Sequence, residues 1–144
     1  MTRTFIIASA IAALVGFAAV PASANSLNIQ QYGWGNAAGG AQAGFKNKIG
    51  VYQNGWKNEA VANQNGWKNT SAIGQEGHKN SATTIQNGAF NAAGVGQFGS
   101  HHNATIVQDG FGNVAAGVQV GHGCSGTVTQ SGSGNVAAFV QTCP

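Results

Sequence analysis

Polar and apolar positions alternate along most of this chain, and the alternation restarts every eleven residues. Within each unit, an asparagine, a small residue, an apolar or small residue and a glutamine are spaced by two, as in Asn47, Ile49, Val51 and Gln53. Residues spaced by two share one face of a β-strand. Each unit is therefore predicted to form a strand of about seven residues with a narrow inner face.

The eleven-residue period holds without an insertion or a deletion. Glutamine is its most regular member, at Gln31, Gln42, Gln53, Gln64, Gln75, Gln86, Gln97, Gln108, Gln119, Gln130 and Gln141. Asparagine holds the position that begins each strand, at Asn25, Asn36, Asn47, Asn58, Asn69, Asn80, Asn91, Asn113 and Asn135. His102 and Cys124 replace asparagine at two of these positions. A period this strict indicates one small structural unit stacked on itself, with eleven strands in all.

A glycine follows each of the first ten glutamines by two residues, often as Asn-Gly or Asp-Gly, which favours a tight reversal. An antiparallel meander and a β-solenoid are both compatible with a chain in which strands alternate with reversals. The solenoid accounts better for the inner amides, because residues 22 apart then stack at about 4.8 Å and bond to each other in ladders. Such ladders satisfy polar groups whose burial is otherwise costly. The predicted fold is an all-β solenoid of two-strand, 22-residue coils.

The first 24 residues do not follow the repeat. Arg3 precedes an apolar run over residues 5–20, and Ala22, Ser23 and Ala24 have the small side chains typical of a cleavage site. This pattern predicts a secretory signal peptide over residues 1–24 and a repeat domain over residues 25–144. A retained anchor is the alternative, but the run is shorter than the roughly 18 residues that a spanning helix needs. No membrane span is predicted in the mature chain.

Composition argues against several functional classes. Only 6% of the residues are charged and the formal net charge is +3, which is too weak and too scattered for a nucleic-acid-binding surface. Glu59, Glu76 and Asp109 occur singly, and no catalytic motif or cofactor motif is visible. The sequence therefore predicts neither an enzyme nor a cofactor. A low-complexity, disordered chain would have a similar composition, but disorder requires no fixed period.

Several distinctive side chains fall on one edge of the predicted solenoid, in consecutive coils. They are His78, His101, His102, His122, Cys124 and Cys143. Nitrogen and sulfur ligands one coil apart make His78, His101 and His122 the candidates for a Zn²⁺ or Cu²⁺ site. The alternative is that exposed positions between strands merely tolerate histidine, since no tight metal-binding spacing is present.

Cys124 and Cys143 are expected to lie one coil apart on that edge, within the ~7 Å Cα separation that a disulfide allows. Export through an oxidising compartment favours a bridge between them. Free thiols and links between subunits are the alternatives.

The pattern Gln-x-Gly-x-x-Asn-x-Ala-x-x-x-Gln behind a signal peptide resembles the curlin repeat of bacterial curli subunits. The resemblance covers essentially all of residues 25–144. It implies a secreted amyloid that passes the periplasm of a Gram-negative bacterium, leaves through an outer-membrane export pore and polymerises at the cell surface. The implied partners are further copies of the chain and a nucleator or major subunit of the same family. The chain departs from the family in lacking a non-repeat leader after residue 24.

A monomeric β-solenoid that binds ice, metal or glycan is the alternative function. Thr83, Thr105 and Thr127 form a short outer row of the kind seen on ice-binding solenoids. Monomeric solenoids need polar caps. Here the array begins on a strand and ends three residues after one, which is typical of open edges and favours self-assembly. The resemblance to curlin implies that such a fibre serves surface adhesion and the biofilm matrix.

Overall fold

The computed structural model describes residues 24–144, so the predicted signal peptide lies outside it apart from Ala24. Eleven strands follow one another: β1 (Ser26–Trp34), β2 (Ala37–Phe45), β3 (Lys48–Trp56), β4 (Glu59–Trp67), β5 (Thr70–His78), β6 (Ser81–Ala89), β7 (Ala92–Ser100), β8 (Asn103–Phe111), β9 (Val114–His122), β10 (Ser125–Ser133) and β11 (Val136–Cys143). In the described part of the chain, no helix has the length and apolar character needed to cross a membrane.

The strands alternate between two parallel sheets. One sheet has six strands in the order β1-β3-β5-β7-β9-β11, and the other has five in the order β10-β8-β6-β4-β2. Each strand pairs with the strand 22 residues further along, so that Gln31 lies beside Gln53 and Gln53 beside Gln75. The fold is therefore a β-solenoid of about five turns, and the solenoid prediction is confirmed.

The strands are longer than the sequence suggested. All but β11 have nine residues rather than seven, because pairing between coils continues through the fixed glycine and the residue after it. Gly33 pairs with Gly55, and Trp34 pairs with Trp56. The connection between strands is consequently only two residues long. Its backbone also bonds to the neighbouring coil, as in the 3.1 Å bond from the Lys57 N–H to the Trp34 carbonyl.

The core is the narrow space between the two sheets. Inward side chains alternate with outward ones, and Asn47, Ile49, Val51 and Gln53 are all buried. Most apolar core residues are small or β-branched, as the repeat predicted: Ile49, Val51, Ala60, Ala62, Ile73, Ala82, Ala93, Val95, Ala104, Ile106 and Ala115. The polar exceptions pair across the core, since the hydroxyls of Ser71 and Thr84 lie 2.6 Å apart. A pair of this kind satisfies both buried hydroxyls at once.

Candidate assembly site

The glutamines form two side-chain ladders inside the solenoid. Nine consecutive pairs are bonded from Nε2 to the Oε1 of the glutamine 22 residues on, over 2.7–3.0 Å. From Gln42 onward, each Nε2 also donates to a backbone carbonyl sixteen residues earlier, as from Gln53 to Ala37 at 3.0 Å. That carbonyl requires the NH₂ group on its side, which fixes the orientation of the amide.

The asparagines make a second set of contacts, at the edges of the core. Asn58 accepts the backbone N–H of Asn80 on its Oδ1 at 3.1 Å and donates from Nδ2 to the Gly77 carbonyl at 3.0 Å. Most other asparagines repeat this pair of bonds, to the residues 22 and 19 positions further on. Buried side-chain nitrogen and oxygen atoms of the described residues all have a hydrogen-bond partner. The asparagines thus bond each coil to the following one.

Both glutamine ladders have a direction. Each glutamine from Gln31 to Gln119 donates toward the later coil, so the first coil presents the acceptor oxygens of Gln31 and Gln42. The last coil presents the amides of Gln130 and Gln141, whose Nε2 atoms donate to the backbone carbonyls of Val114 and Ser125. An NH₂ group has two donors, so each of these amides retains a donor that points along the ladder. The glutamine ladders therefore offer donors at one end of the solenoid and acceptors at the other.

The strands at both ends are exposed. Every residue of β1 is exposed, although Leu27 and Ile29 occupy core positions of the repeat. At the other end β10 and β11 contain a single buried residue, Gln130. Within residues 24–144, β1 and β2 have no strand before them and β10 and β11 have none after them. Unpaired parallel edges of this kind are templates for further strands.

His102 takes an asparagine position and keeps its role. The ring is buried, its Nδ1 accepts the Cys124 N–H at 3.1 Å, and its Nε2 lies 3.2 Å from the Phe98 carbonyl. The Cys124 N–H donates to Nδ1, which leaves Nε2 as the ring nitrogen that faces the Phe98 carbonyl. The imidazole therefore substitutes for the amide oxygen that the other coils use.

Loss of this contact is expected to cost stability. His102→Ala would leave the buried Cys124 N–H without its acceptor, at a cost of about 1–3 kcal/mol. His102→Asn restores the acceptor that the other coils use and should remain closer to the wild type. Thermal melts of the three proteins measure this, and equal stability of the two variants would contradict the assignment.

Cys124 and Cys143 form a disulfide with a Cα–Cα distance of 5.6 Å. Cys124 occupies an asparagine position, and Cys143 occupies the glycine position next to Gly121 in the register. Their separation of 19 residues equals that between each asparagine and the glycine carbonyl it bonds. The disulfide therefore replaces, in the last coil, the asparagine-to-glycine hydrogen bond of the other coils.

Removing the bridge is expected to loosen the last coil. In the chain-entropy relation, a loop of about 20 residues is worth about 3 kcal/mol, so Cys124→Ser/Cys143→Ser should lose about that much stability to unfolding. The matched variant Cys124→Asn/Cys143→Gly restores the repeat residues and should recover part of the loss. Guanidinium unfolding measures both, with the mass after alkylation as a check on the bridge. Uptake of two alkyl groups by the unreduced wild type would contradict an intramolecular disulfide.

The histidines proposed as metal ligands form a row along one edge. The His78 ring stacks on Trp56 with centroids 4.6 Å apart, and the His78–His101 and His101–His122 centroids are 5.5 Å and 4.8 Å apart. The neighbouring groups partly desolvate the exposed His101 ring and lower its pKa, and Lys79 adds a smaller electrostatic effect. No three His, Cys, Asp or Glu side chains of residues 24–144 are arranged to hold a metal ion. Along this edge only the Trp56 and His78 rings are parallel, whereas His101 meets His78 edge-on and His122 is tilted against His101.

The comparison with known families follows the same repeat. Residues 77–110 match the family model described as Curlin associated repeat, and this segment contains Gln86, Gln97 and Gln108 of the ladder. No curated protein matches the chain significantly. The family to which the repeat points consists of structural fibre subunits and is not an enzyme family. The resemblance found in the sequence is thus confirmed for residues 77–110, which match the curlin-associated repeat and span β6, β7 and most of β8 of the solenoid.

Proposed function

We propose that this chain is the structural subunit of a secreted, curli-like amyloid fibre that grows by end-to-end stacking of solenoids. The observation that carries the proposal is the polarity of the ladders at two exposed ends. Amide donors of Gln130 and Gln141 leave one end, and the acceptor oxygens of Gln31 and Gln42 face out of the other. Stacking donor end on acceptor end continues both ladders, whereas two like ends would oppose donor to donor.

The exposed apolar groups support the same conclusion. Leu27 and Ile29 are 47% and 37% exposed on β1, although their equivalents Ile49 and Val51 in the next coil are each only 3% exposed. A stacked neighbour would bury them at about 25 cal/mol for each Å² of apolar surface. Both hydrogen bonding and hydrophobic burial therefore favour addition of another copy.

The curlin repeat and the signal-like residues 1–24 support a cellular setting for the fibre. The chain would be exported through the periplasm and an outer-membrane pore, and would polymerise outside a Gram-negative cell. There it would serve surface adhesion and the biofilm matrix. A nucleator or a major subunit of the same family would be its partner in the fibre. Exposed rings such as Trp34 and Trp67 would line the edges of the fibre.

Seeded growth tests the proposal. Residues 25–144 are purified under denaturant, diluted to micromolar concentration and followed by thioflavin fluorescence and electron microscopy. We expect fibres after a lag, and fragments of preformed fibres should shorten or abolish that lag. A chain that remains monomeric for days and ignores the fragments would contradict the proposal and would favour a monomeric binding solenoid.

A further inference from the structure

The two ends of the solenoid are offset by half a coil. The six-stranded sheet ends on β11, and the five-stranded sheet ends on β10, which precedes β11 in the chain. Strand positions alternate between the two sheets, so the position that follows β11 lies over β10 in the five-stranded sheet. A strand added there would extend the alternation without a break.

We propose that a second copy of this chain docks with its β1 over β10 and its β2 over β11, so that successive copies are related by a half turn about the solenoid axis. This inference rests on the proposed fibre function and specifies its contact. The six-stranded sheet of one copy would then continue as the five-stranded sheet of the next.

The hydrogen-bond ladders continue in this arrangement. Gln130 lies in register with Gln31 of the second copy, and Gln141 lies in register with Gln42 of the second copy. The remaining Nε2 donor of each C-terminal glutamine meets a glutamine oxygen, as in the nine pairs within the chain. The Asn135 Oδ1 likewise faces the backbone N–H of Asn36 of the second copy, which repeats the 3.0 Å bond between Asn113 and Asn135.

The sizes of the core side chains match across the same contact. Phe139 would lie against Gly40 of the second copy, and Gly126 would lie against its Leu27. Each of these pairs places a large side chain over a glycine. The other two inward pairs are Val128 over Ile29 and Ala137 over Ala38, and side chains of these sizes also stack on each other inside the chain. Close-packed interiors favour this alternation of large and small groups.

The same large-over-glycine packing occurs within one chain. A Cβ built on Gly126 would lie 2.7 Å from the Phe139 ring, and Gly117 leaves room for the other side of that ring. At the opposite end, a Cβ built on Gly40 would lie 3.0 Å from the Leu27 side chain. The two largest core side chains of the terminal coils therefore already use glycine positions to fit.

Stacking without the half turn is less favourable. If β1 of the second copy lay over β11, then Phe139 would oppose Ile29. Two large side chains would then meet at one core position, without a glycine to make room for either. One strand position above β10 would remain empty. The backbone groups and core around that gap would lack partners, which is unfavourable for buried polar groups.

Cross-linking of mixed fibres distinguishes the two registers. Chains with Ala138→Cys are co-assembled with chains carrying either Gly39→Cys or Asn28→Cys and are treated with a short thiol-specific cross-linker. All three positions face outward, and a Cβ on Gly39 meets nothing within 4 Å. The native cysteines are bonded to each other, so each engineered thiol is the one that reacts.

With the half turn, residue 138 lies one strand spacing from residue 39 of the second copy and on the opposite outer face from its residue 28. The yield of covalent dimers should therefore be about tenfold higher in the mixture with Gly39→Cys than in the mixture with Asn28→Cys. Mixtures of separately preformed fibres control for contacts between fibres. Fibres whose dimers form equally in both mixtures, or mainly with Asn28→Cys, would overturn the half turn and leave the proposed function intact. Absence of fibres in the parent chain would overturn both.

Discussion

Replacement of Gly77 by alanine is expected to destabilise the solenoid by at least about 3 kcal/mol, since a forbidden backbone conformation and a backbone collision act together. Gly77 has φ +117°, a region that L-residues rarely adopt. Its added Cβ would also overlap the Gly99 carbonyl of the next coil. That carbonyl accepts a hydrogen bond from Asn80 Nδ2 at 3.1 Å. A shift of Gly99 would therefore also break this bond between coils.

The matched control is Gly94→Ala in the same part of the molecule. Gly94 faces outward, has no positive φ and offers open space to a Cβ. This variant should change stability by no more than about 0.5–1 kcal/mol in either direction. The guanidinium midpoint and the lag of fibre formation measure both variants. Equal behaviour of the two alanines would contradict the idea that the fixed glycine is required by coil stacking.

Replacement of Gln75 by glutamate is expected to have a comparable effect, of about 3–5 kcal/mol at neutral pH. Gln75 is fully buried and donates from Nε2 to the Glu59 carbonyl and to Gln97 Oε1, each at 2.8 Å. A carboxylate cannot donate, so it would set oxygen against oxygen at both contacts. Its charge would also be buried without a cation beside it.

The penalty should diminish in acid. Burial raises the pKa of the introduced carboxyl above its ordinary value of about 4.3. The cost is therefore complete above this raised pKa and is relieved as the pH falls through it, when a protonated carboxyl regains one donor. Gln30→Glu, at an exposed position of β1, is the control and should remain near wild type. Urea unfolding at pH 4 and pH 7 gives the comparison, and an equal penalty at both would contradict burial of the charge.

The fold was predictable because its determinants are local and repeated. The spacing of Asn47, Ile49, Val51 and Gln53 identifies one inner face, and the unbroken period fixes which strands become neighbours. The length of each strand was underestimated because Gly33 marks a reversal in the sequence, yet its backbone remains paired to Gly55. The extension of that pairing past the glycine cannot be deduced from the propensities of a single unit.

The assembly site was predictable in composition but not in geometry. The repeat predicted the inward amides, but the direction of their bonds depends on backbone carbonyls such as that of Ala37, which only the folded coil brings close to Gln53. The fit of Phe139 over Gly117 was also missed. Its signal was present in the sequence, since Phe139 stands 22 residues after Gly117 at a core position, where a large side chain needs a small neighbour.

Fibre diffraction from aligned, seeded fibres of residues 25–144 tests the central claim most directly, because it reports whether and how solenoids stack. A continuous stack of coils predicts a sharp meridional reflection at about 4.7–4.8 Å, with an equatorial spacing near 10 Å from the two sheets. A soluble chain that yields no ordered fibre, or fibres without the meridional reflection, would contradict the account.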